Sequence, residues 1–197
     1  MNEWEKGQNG YLYDTNNDKE VINKHIDCLN KCFELNSLSP YLKSERENKL
    51  REIINEIGEN FDILSPFYCD FGENIHIGKN FYANHNLSIL DGGRVEIGDF
   101  VFIAPNVVIT TAGHAIDPEQ RDKGYEIVLP ITIGSHVWIG ANVCILPGVK
   151  VGNNVVIGAG SVVTKDIPDN VIAVGNPCKV LRKITAEDKN KYPVFEE

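Results

Sequence analysis

Between residues 131 and 163 the chain has almost no charge: Lys150 is the single Asp, Glu, Lys or Arg there, whereas residues 1–60 carry 20. So neutral a stretch is excluded from being a solvated tail, and must be mostly hidden or very regular. Long apolar runs are missing as well. None approaches the roughly 20 residues that span a bilayer. The N-terminus also lacks the basic-then-apolar pattern of a secretory signal, so a soluble, cytoplasmic protein with no membrane partner is expected. Basic excess is absent too. A net charge of −9 argues against a nucleic-acid surface, because phosphate backbones need a basic footprint; a small local site for a phosphorylated cofactor stays compatible. The five cysteines, an odd number without the close spacing of a disulfide framework, suit a reducing compartment. What remains is ordinary for a globular protein: 197 residues, 42% hydrophobic and 24% charged, enough for one good-sized domain or one domain with an appendage.

Two helices are predicted near the N-terminus. Asp18 to Leu35 places Val21, Ile22, Ile26, Leu29 and Phe33 at three- and four-residue spacing. Ser44 to Ile57 places Leu50, Ile53, Ile54 and Ile57 on one face, with Ser44 as N-cap and Gly58 as the stop. From about residue 71 the period becomes six. Ile97, Ile103 and Ile109 follow at that spacing, and after a gap Ile133, Ile139, Ile145, Val151, Ile157 and Val163. The fifth positions are small or β-branched: Val101, Val107, Val137, Val143, Val149, Val155 and Ser161. An earlier set runs Phe71, Ile77, Ala83, Ile89 and Val95, before a two-residue slip to Ile97.

Six residues give a short strand and a turn, so three hexads close one triangular coil. The aliphatic residue points inward and stacks on its counterpart one coil away. Small residues and Asn80, Asn106 and Asn153 serve the corners, where backbone angles are unusual. The expected fold is mainly β, a parallel β-helix. The repeat breaks at 112–130, "AGHAIDPEQRDKGYEIVLP", a polar segment without inward aliphatics at every sixth place. A loop of that length in a compact domain is usually functional or disordered. Its low apolar content predicts that it reaches a neighbouring subunit instead of packing on its own coil. His114 sits at its base, with the chemistry of a general base.

The sequence resembles the maltose, galactoside and nodulation-factor O-acetyltransferases over nearly its whole length. The resemblance is carried by "GYLYD" (10–14), "NIHIGKNFYANHNLSILD" (74–91), "IGDFVFIAPNV" (97–107), "TAGHAIDPEQR" (111–121), "PITIGSHVWIGANVCILPGVKVG" (130–152), "VIGAGSVVTKDIP" (156–168) and "GNPCKVLRKI" (175–184). It implies a left-handed β-helix and direct transfer of acetyl from acetyl-coenzyme A to a sugar or glycoside hydroxyl, with no metal. His114 matches the family's catalytic histidine. Asn84 and Asp91 match sugar-pocket positions, Asp70 takes a pocket position where some members have Ser, and the resemblance implies that Tyr13 and Asp14 of the N-terminal segment close over the sugar; a coil corner alone also accounts for Asn84 and Asp91. Where some relatives carry a second acidic residue after Asp91, this chain has Gly92. Coenzyme A is assigned to Trp138, Gly140, Ala141, Gly158, Ala159 and Gly160, and its phosphates to a basic cluster of Thr164, Lys165, Lys179 and Arg182. The resemblance further implies a homotrimer with active sites between subunits.

Boundaries follow as a helical segment over 1–60, the β-helix over 61–181 and a tail over 182–197. Two other classes use such a prism. A γ-type carbonic anhydrase needs three imidazoles on one zinc, and His76, His85, His114 and His136 lack its closely spaced pair. A non-catalytic β-helix subunit gives no reason for His114 together with Thr164 and Lys165. Cys28 and Cys32 stand four apart without a second ligand pair, as in helix packing, and Cys144 in the hexad register reads as packing too.

Overall fold

A computed structural model describes residues 1–195; the last two residues of the expected tail lie outside the described residues. Each hexad forms one side of a triangular prism, because a strand of two to four residues ends where its inward aliphatic is buried. Three columns of stacked side chains result. Ile57, Ile77, Ile97, Ile133 and Val151 form the first. Ile63, Ala83, Ile103, Ile139, Ile157 and Ala173 form the second. Cys69, Ile89, Ile109, Ile145 and Val163 form the third. All are buried, as are the small residues two places before them from Val101 to Ser161. Burying each large aliphatic contributes about 1.5–3 kcal/mol. The result is a parallel β-helix, whose sides are called here the first, second and third faces.

The columns correct two expectations. Coiling starts at Glu56–Ile57, the first strand of the first face, and not near residue 71. Phe71 is not an inward residue; Cys69 holds that place, opposite Ile89, while Phe71 packs outside the coil with its ring 4.8 Å from that of Trp4.

At the corners the chain must bend from one face to the next within a few residues, and left-handed backbone does this. Asn60, Asn80, Asn154 and Asn170 take positive φ at the edge between the first and second faces, and Asn86, Asn106 and Asn142 do so between the second and third. Asparagine tolerates this conformation better than other side-chain-bearing residues. Phe100 and His136 occupy the same kind of corner at φ 56° and 59° and stack on each other, ring centroids 5.0 Å apart. Asn153 is different: its Oδ1 accepts from the backbone N–H of Ser135 at 2.8 Å, and its neighbour Asn154 takes the left-handed angle.

Helices cover the first coil. The long helix, Lys19–Ser37, is capped by Asp18, but its buried stripe is Val21, Cys28, Cys32 and Leu35, while Ile26, Leu29 and Phe33 are exposed. The thiols pack as small apolar groups, and a count of large aliphatics missed them. The second helix spans Lys43–Ile53; its N-cap is Leu42, without a side-chain cap, so Ser44 does not have that role. It ends before Ile57, which belongs to a strand, and Gly58 lies at a coil corner against the Gly78–Lys79 backbone. Leu50, Ile53 and Ile54 close the prism core. Arg46, 8% exposed, donates to the carbonyls of Ile63 at 3.0 Å and Leu35 at 3.4 Å and to Ser65 Oγ at 2.8 Å. At the other end Lys179–Lys183 turns back antiparallel onto Val171–Val174. Among the described residues no helix is long and apolar enough to cross a membrane.

Candidate active site

The edge between the third and first faces departs from the regular turn. A coil takes 20 residues from Ile57 to Ile77 and from Ile77 to Ile97, against 18 from Ile133 to Val151. The extra residues fall in corners 70–74 and 91–94. A longer corner leaves backbone N–H groups without a ladder partner, which burial makes costly. Asp91 supplies the acceptor. It is wholly buried, and its carboxylate accepts from the N–H groups of Asp70 (3.0 Å), Phe71 (2.9 Å) and Asn74 (3.4 Å). Burial pushes its pKa up to about 7, with the Phe71 and Asn74 amides opposing. One coil on, Thr111 Oγ1 accepts from Gly93 N–H at 2.9 Å and donates to the Leu90 carbonyl at 2.8 Å.

Beyond Thr111 the corner opens into a hairpin. Ala112–His114 pairs antiparallel with Tyr125–Val128, and Pro118–Asp122 forms one helical turn at the tip, capped by Asp117. Tyr13–Asp14 adds a third strand, Tyr13 opposite Glu126 and Asp14 opposite Tyr125. Tyr13, Val21 and Val128 form a second buried core against Trp4 and Phe71. The segment therefore packs within its own chain, contrary to the expectation from its composition. One anchor, Val128, is enough because the N-terminal segment supplies the rest.

A cavity of about 700 Å³ lies between this sheet, the long helix and the expanded corners. His114 and Glu126 face it from the hairpin, Thr15 and Asn16 from the N-terminal turn, Ile22, His25 and Ile26 from the helix, and Asp70 and Phe71 from the corner. His114 is exposed and stands opposite Glu126 in register. Glu126 Oε1 accepts from Thr15 Oγ1 at 3.1 Å. Across the cavity His25 Nε2 lies 3.6 Å from Asp70 Oδ1. Burial pushes the Asp70 carboxyl up, His25 opposes this, and Glu126 adds to it. Burial, then Glu126, Asp70 and Asp91, raise the Tyr13 phenol, which stays protonated. The arrangement offers a base and several hydrogen-bonding groups around an apolar floor, which suits a polyhydroxylated ligand with one face packed on Ile22 and Phe71.

Of the residues singled out from sequence, His114, Asp70 and Tyr13 meet in this cavity. Asp91 lies behind the wall, under Asp70. Asp14 ties the turn, its carboxylate accepting from the N–H groups of Asn16 and Asn17 at 3.0 Å. Gly92 lines the cavity without space for a side chain: a Cβ would stand 2.7 Å from Val128 Cγ1 and 3.2 Å from the Tyr13 hydroxyl. His25, Glu126, Thr15 and Asn16 were not anticipated. Nothing in their local sequence marks them, since tertiary packing alone brings them here.

The remaining residues lie elsewhere in the chain. Asn84, Gly140 and Ala141 follow the second-face strands Tyr82–Ala83 and Trp138–Ile139, and Ala159 follows Val156–Ile157. All four therefore sit on the edge between the second and third faces. A Cβ on Gly140 would approach the Ala159 backbone nitrogen to 2.6 Å, so this edge is smooth, with Trp138 54% exposed beside it. Thr164 and Lys165 follow Val162–Val163 at the next edge, while Lys179 and Arg182 stand on the final strand. The four thus come from two separate stretches of the chain, and Arg182 makes a two-pronged ion pair with Asp188 at 2.6 and 2.7 Å. His76 pairs with Glu56 on the first face and His85 bonds the Ser65 carbonyl, so these imidazoles do not converge with His114.

A prism of hexapeptide coils, capped by helices and carrying a histidine on an extruded hairpin, defines a hexapeptide-repeat acyltransferase. Residues 130–165 match the bacterial transferase hexapeptide family (six repeats), and residues 6–58 the maltose acetyltransferase hexapeptide capping motif. The chain is 51% identical over 160 residues to galactoside O-acetyltransferase of Escherichia coli, covering 81% of this chain and 79% of that protein. It is 56% identical over 179 residues to a putative acetyltransferase of Saccharomyces cerevisiae, covering 91% of each. A solved galactoside acetyltransferase in complex with coenzyme A superposes with a TM-score of 0.92 at 44% identity, over 100% of this chain and 97% of that one. The chain belongs to the maltose and galactoside O-acetyltransferase family of hexapeptide-repeat acyltransferases.

Proposed function

We propose that this chain moves the acetyl group of acetyl-coenzyme A directly onto a hydroxyl of a sugar or glycoside, with His114 as general base. The observation that carries the reading is His114 on the rim of a cavity whose polar lining, Asp70, Glu126, Thr15 and Asn16, is the kind that binds sugar hydroxyls. His114 takes the proton as the acceptor oxygen attacks the thioester carbonyl. The C–O bond forms, the C–S bond breaks, and the proton leaves with the thiol sulfur. Asp70 holds the acceptor, and Asp91 acts as a positioning residue by fixing the Asp70 and Phe71 backbone. Asp14 fixes the turn that presents Thr15 and Asn16.

Coenzyme A fits the edge of Gly140, Ala141 and Ala159, where no side chain obstructs a slender arm beside Trp138. Lys179 stands at the end of that edge, with Thr164, Lys165 and Arg182 at the same end of the prism for the phosphates. Arg182 must then share or exchange its Asp188 partner. Because the His114 edge and the Gly140 edge are different edges of one prism, a complete site requires two chains. A homotrimer, with the second edge of one subunit facing the hairpin of the next, supplies it, and brings Asn84 to His114 in the same way.

The test is acetyl transfer to a panel of sugars and glycosides, followed by free thiol release. His114→Ala is expected to bind coenzyme A as the parent does and to lose at least about 100-fold in kcat, the usual size of a general-base contribution. Turnover within a few-fold of the parent removes His114 from the role, and no turnover of any sugar by the parent removes the acceptor class.

A further inference from the structure

One group of side chains has no part in acetyl transfer. Cys28 and Cys32, one turn apart on the long helix, point at Cys69 in the third column of the β-helix. Cys69 Sγ lies 3.5 Å from Cys28 Sγ and 3.8 Å from Cys32 Sγ, and the three sulfurs lie within 4.8 Å of one another. All three are at most 3% exposed. The sequence showed only the helical pair; the third ligand comes from a strand 37 residues beyond Cys32. Among the described residues no His, Asp or Glu joins the group as a fourth donor.

We propose that Cys28, Cys32 and Cys69 form a three-coordinate, all-sulfur site for a soft monovalent metal ion of the copper(I) class, held between the helical cap and the β-helix. Three sulfurs this close to one another surround a point roughly 2.0–2.4 Å from each, a range that contains the length of a soft metal–thiolate bond. Zinc takes four ligands in closed structural sites, and among the described residues no fourth His, Cys, Asp or Glu stands with these three. A path exists, because a cavity of about 360 Å³ under Lys24, Lys31 and Glu73 opens onto Cys28. Binding needs no change of oxidation state when copper is supplied as copper(I).

The experiment uses the full chain, anaerobic copper(I) and a colorimetric copper(I) chelator as competitor. One equivalent retained per chain is expected, with affinity lowered at least 100-fold in Cys32→Ser and in Cys69→Ser and unchanged in Cys144→Ser. Zinc offered in the same way is expected to be released to a chelator of ordinary strength. Because a core substitution can impair folding, the parent protein supplies a second measurement. After copper loading, prolonged mass-mapped alkylation of the folded chain is expected to label Cys28, Cys32 and Cys69 more slowly than in the metal-free chain, and Cys144 and Cys178 at the same rate in both. Protection of Cys144 or Cys178 instead, no protection at all, equal affinity in the Cys32→Ser chain, or tighter retention of zinc than of copper(I) would each overturn the proposal.

Discussion

Asp91 shows how a corner residue serves a site it does not touch. It accepts three backbone N–H groups at a corner that is two residues too long for the regular turn, and its burial has a measurable consequence. With a folded pKa near 7 against an ordinary value of 3.8, the folded chain keeps a proton over the window in which the unfolded chain has released it. Stability from this group is therefore full below about pH 4 and is lost as pH rises through about 7. Asp91→Asn cannot titrate, so its urea midpoint is expected to fall less than that of the parent between pH 5 and pH 8. Parallel declines in the two proteins would place the titration elsewhere. Asp70 is visible in the sequence only through the resemblance, and its partner His25 not at all. The spacing from 25 to 70 carries no periodic signal, and only the docking of the helix on the corner sets it.

Among the elements, legibility depended on how local the cause is. The hexads could be read because every sixth residue meets the same neighbours one coil away, so a one-dimensional pattern records a three-dimensional contact. The long helix was placed correctly and its buried side was not, because Ile26, Leu29 and Phe33 outweigh Cys28 and Cys32 on any hydrophobicity count yet face outward. The anchoring of the hairpin of residues 112–128 is invisible in its own composition because Tyr13, its partner, lies far away in the sequence although adjacent in the fold. Corner chemistry is local and therefore open to a simple test. Asn106, at φ 60°, accepts from Asn86 Nδ2 at 2.9 Å. Asn106→Ala is expected to cost about 1–2 kcal/mol, the usual penalty for Cβ in left-handed backbone without a compensating side chain. Asn106→Gly is expected to cost less, because glycine has no such penalty. Equal losses in urea melts would assign the cost to the lost hydrogen bond instead of the backbone.

For the whole molecule, the three faces differ in what they turn outward. The first shows Glu56, His76, Glu96, Thr132 and Lys150, whereas the second shows Tyr82, Phe102, Trp138 and Val156. An aromatic ladder on one side of a prism that is polar on another is the surface pattern of a subunit contact, in keeping with the proposed trimer. Light scattering is expected to give a mass near three chains. In mixed assemblies of His114→Ala with a Trp138→Ala chain, some activity is expected to return if the two residues meet across subunits. A fully active monomer, or no rescue in verified mixed trimers, contradicts a shared site.

The ends of the prism have a consequence of a different kind. Every interior coil is a template for the next, with N–H and C=O groups aligned along its rim, so an uncapped stack is a growing fibre. This chain stops growth twice. At one rim Arg46 occupies the carbonyl of Ile63 under the helical lid. At the other, the strand Lys179–Lys183 covers Val171–Val174 and offers three cationic side chains to any strand that would add beyond it. Deletion of residues 1–55 is expected to leave coils that join rim to rim, so that sedimentation finds filaments whose length increases with protein concentration. Dispersed trimers from that truncation would mean that the lid is dispensable for solubility.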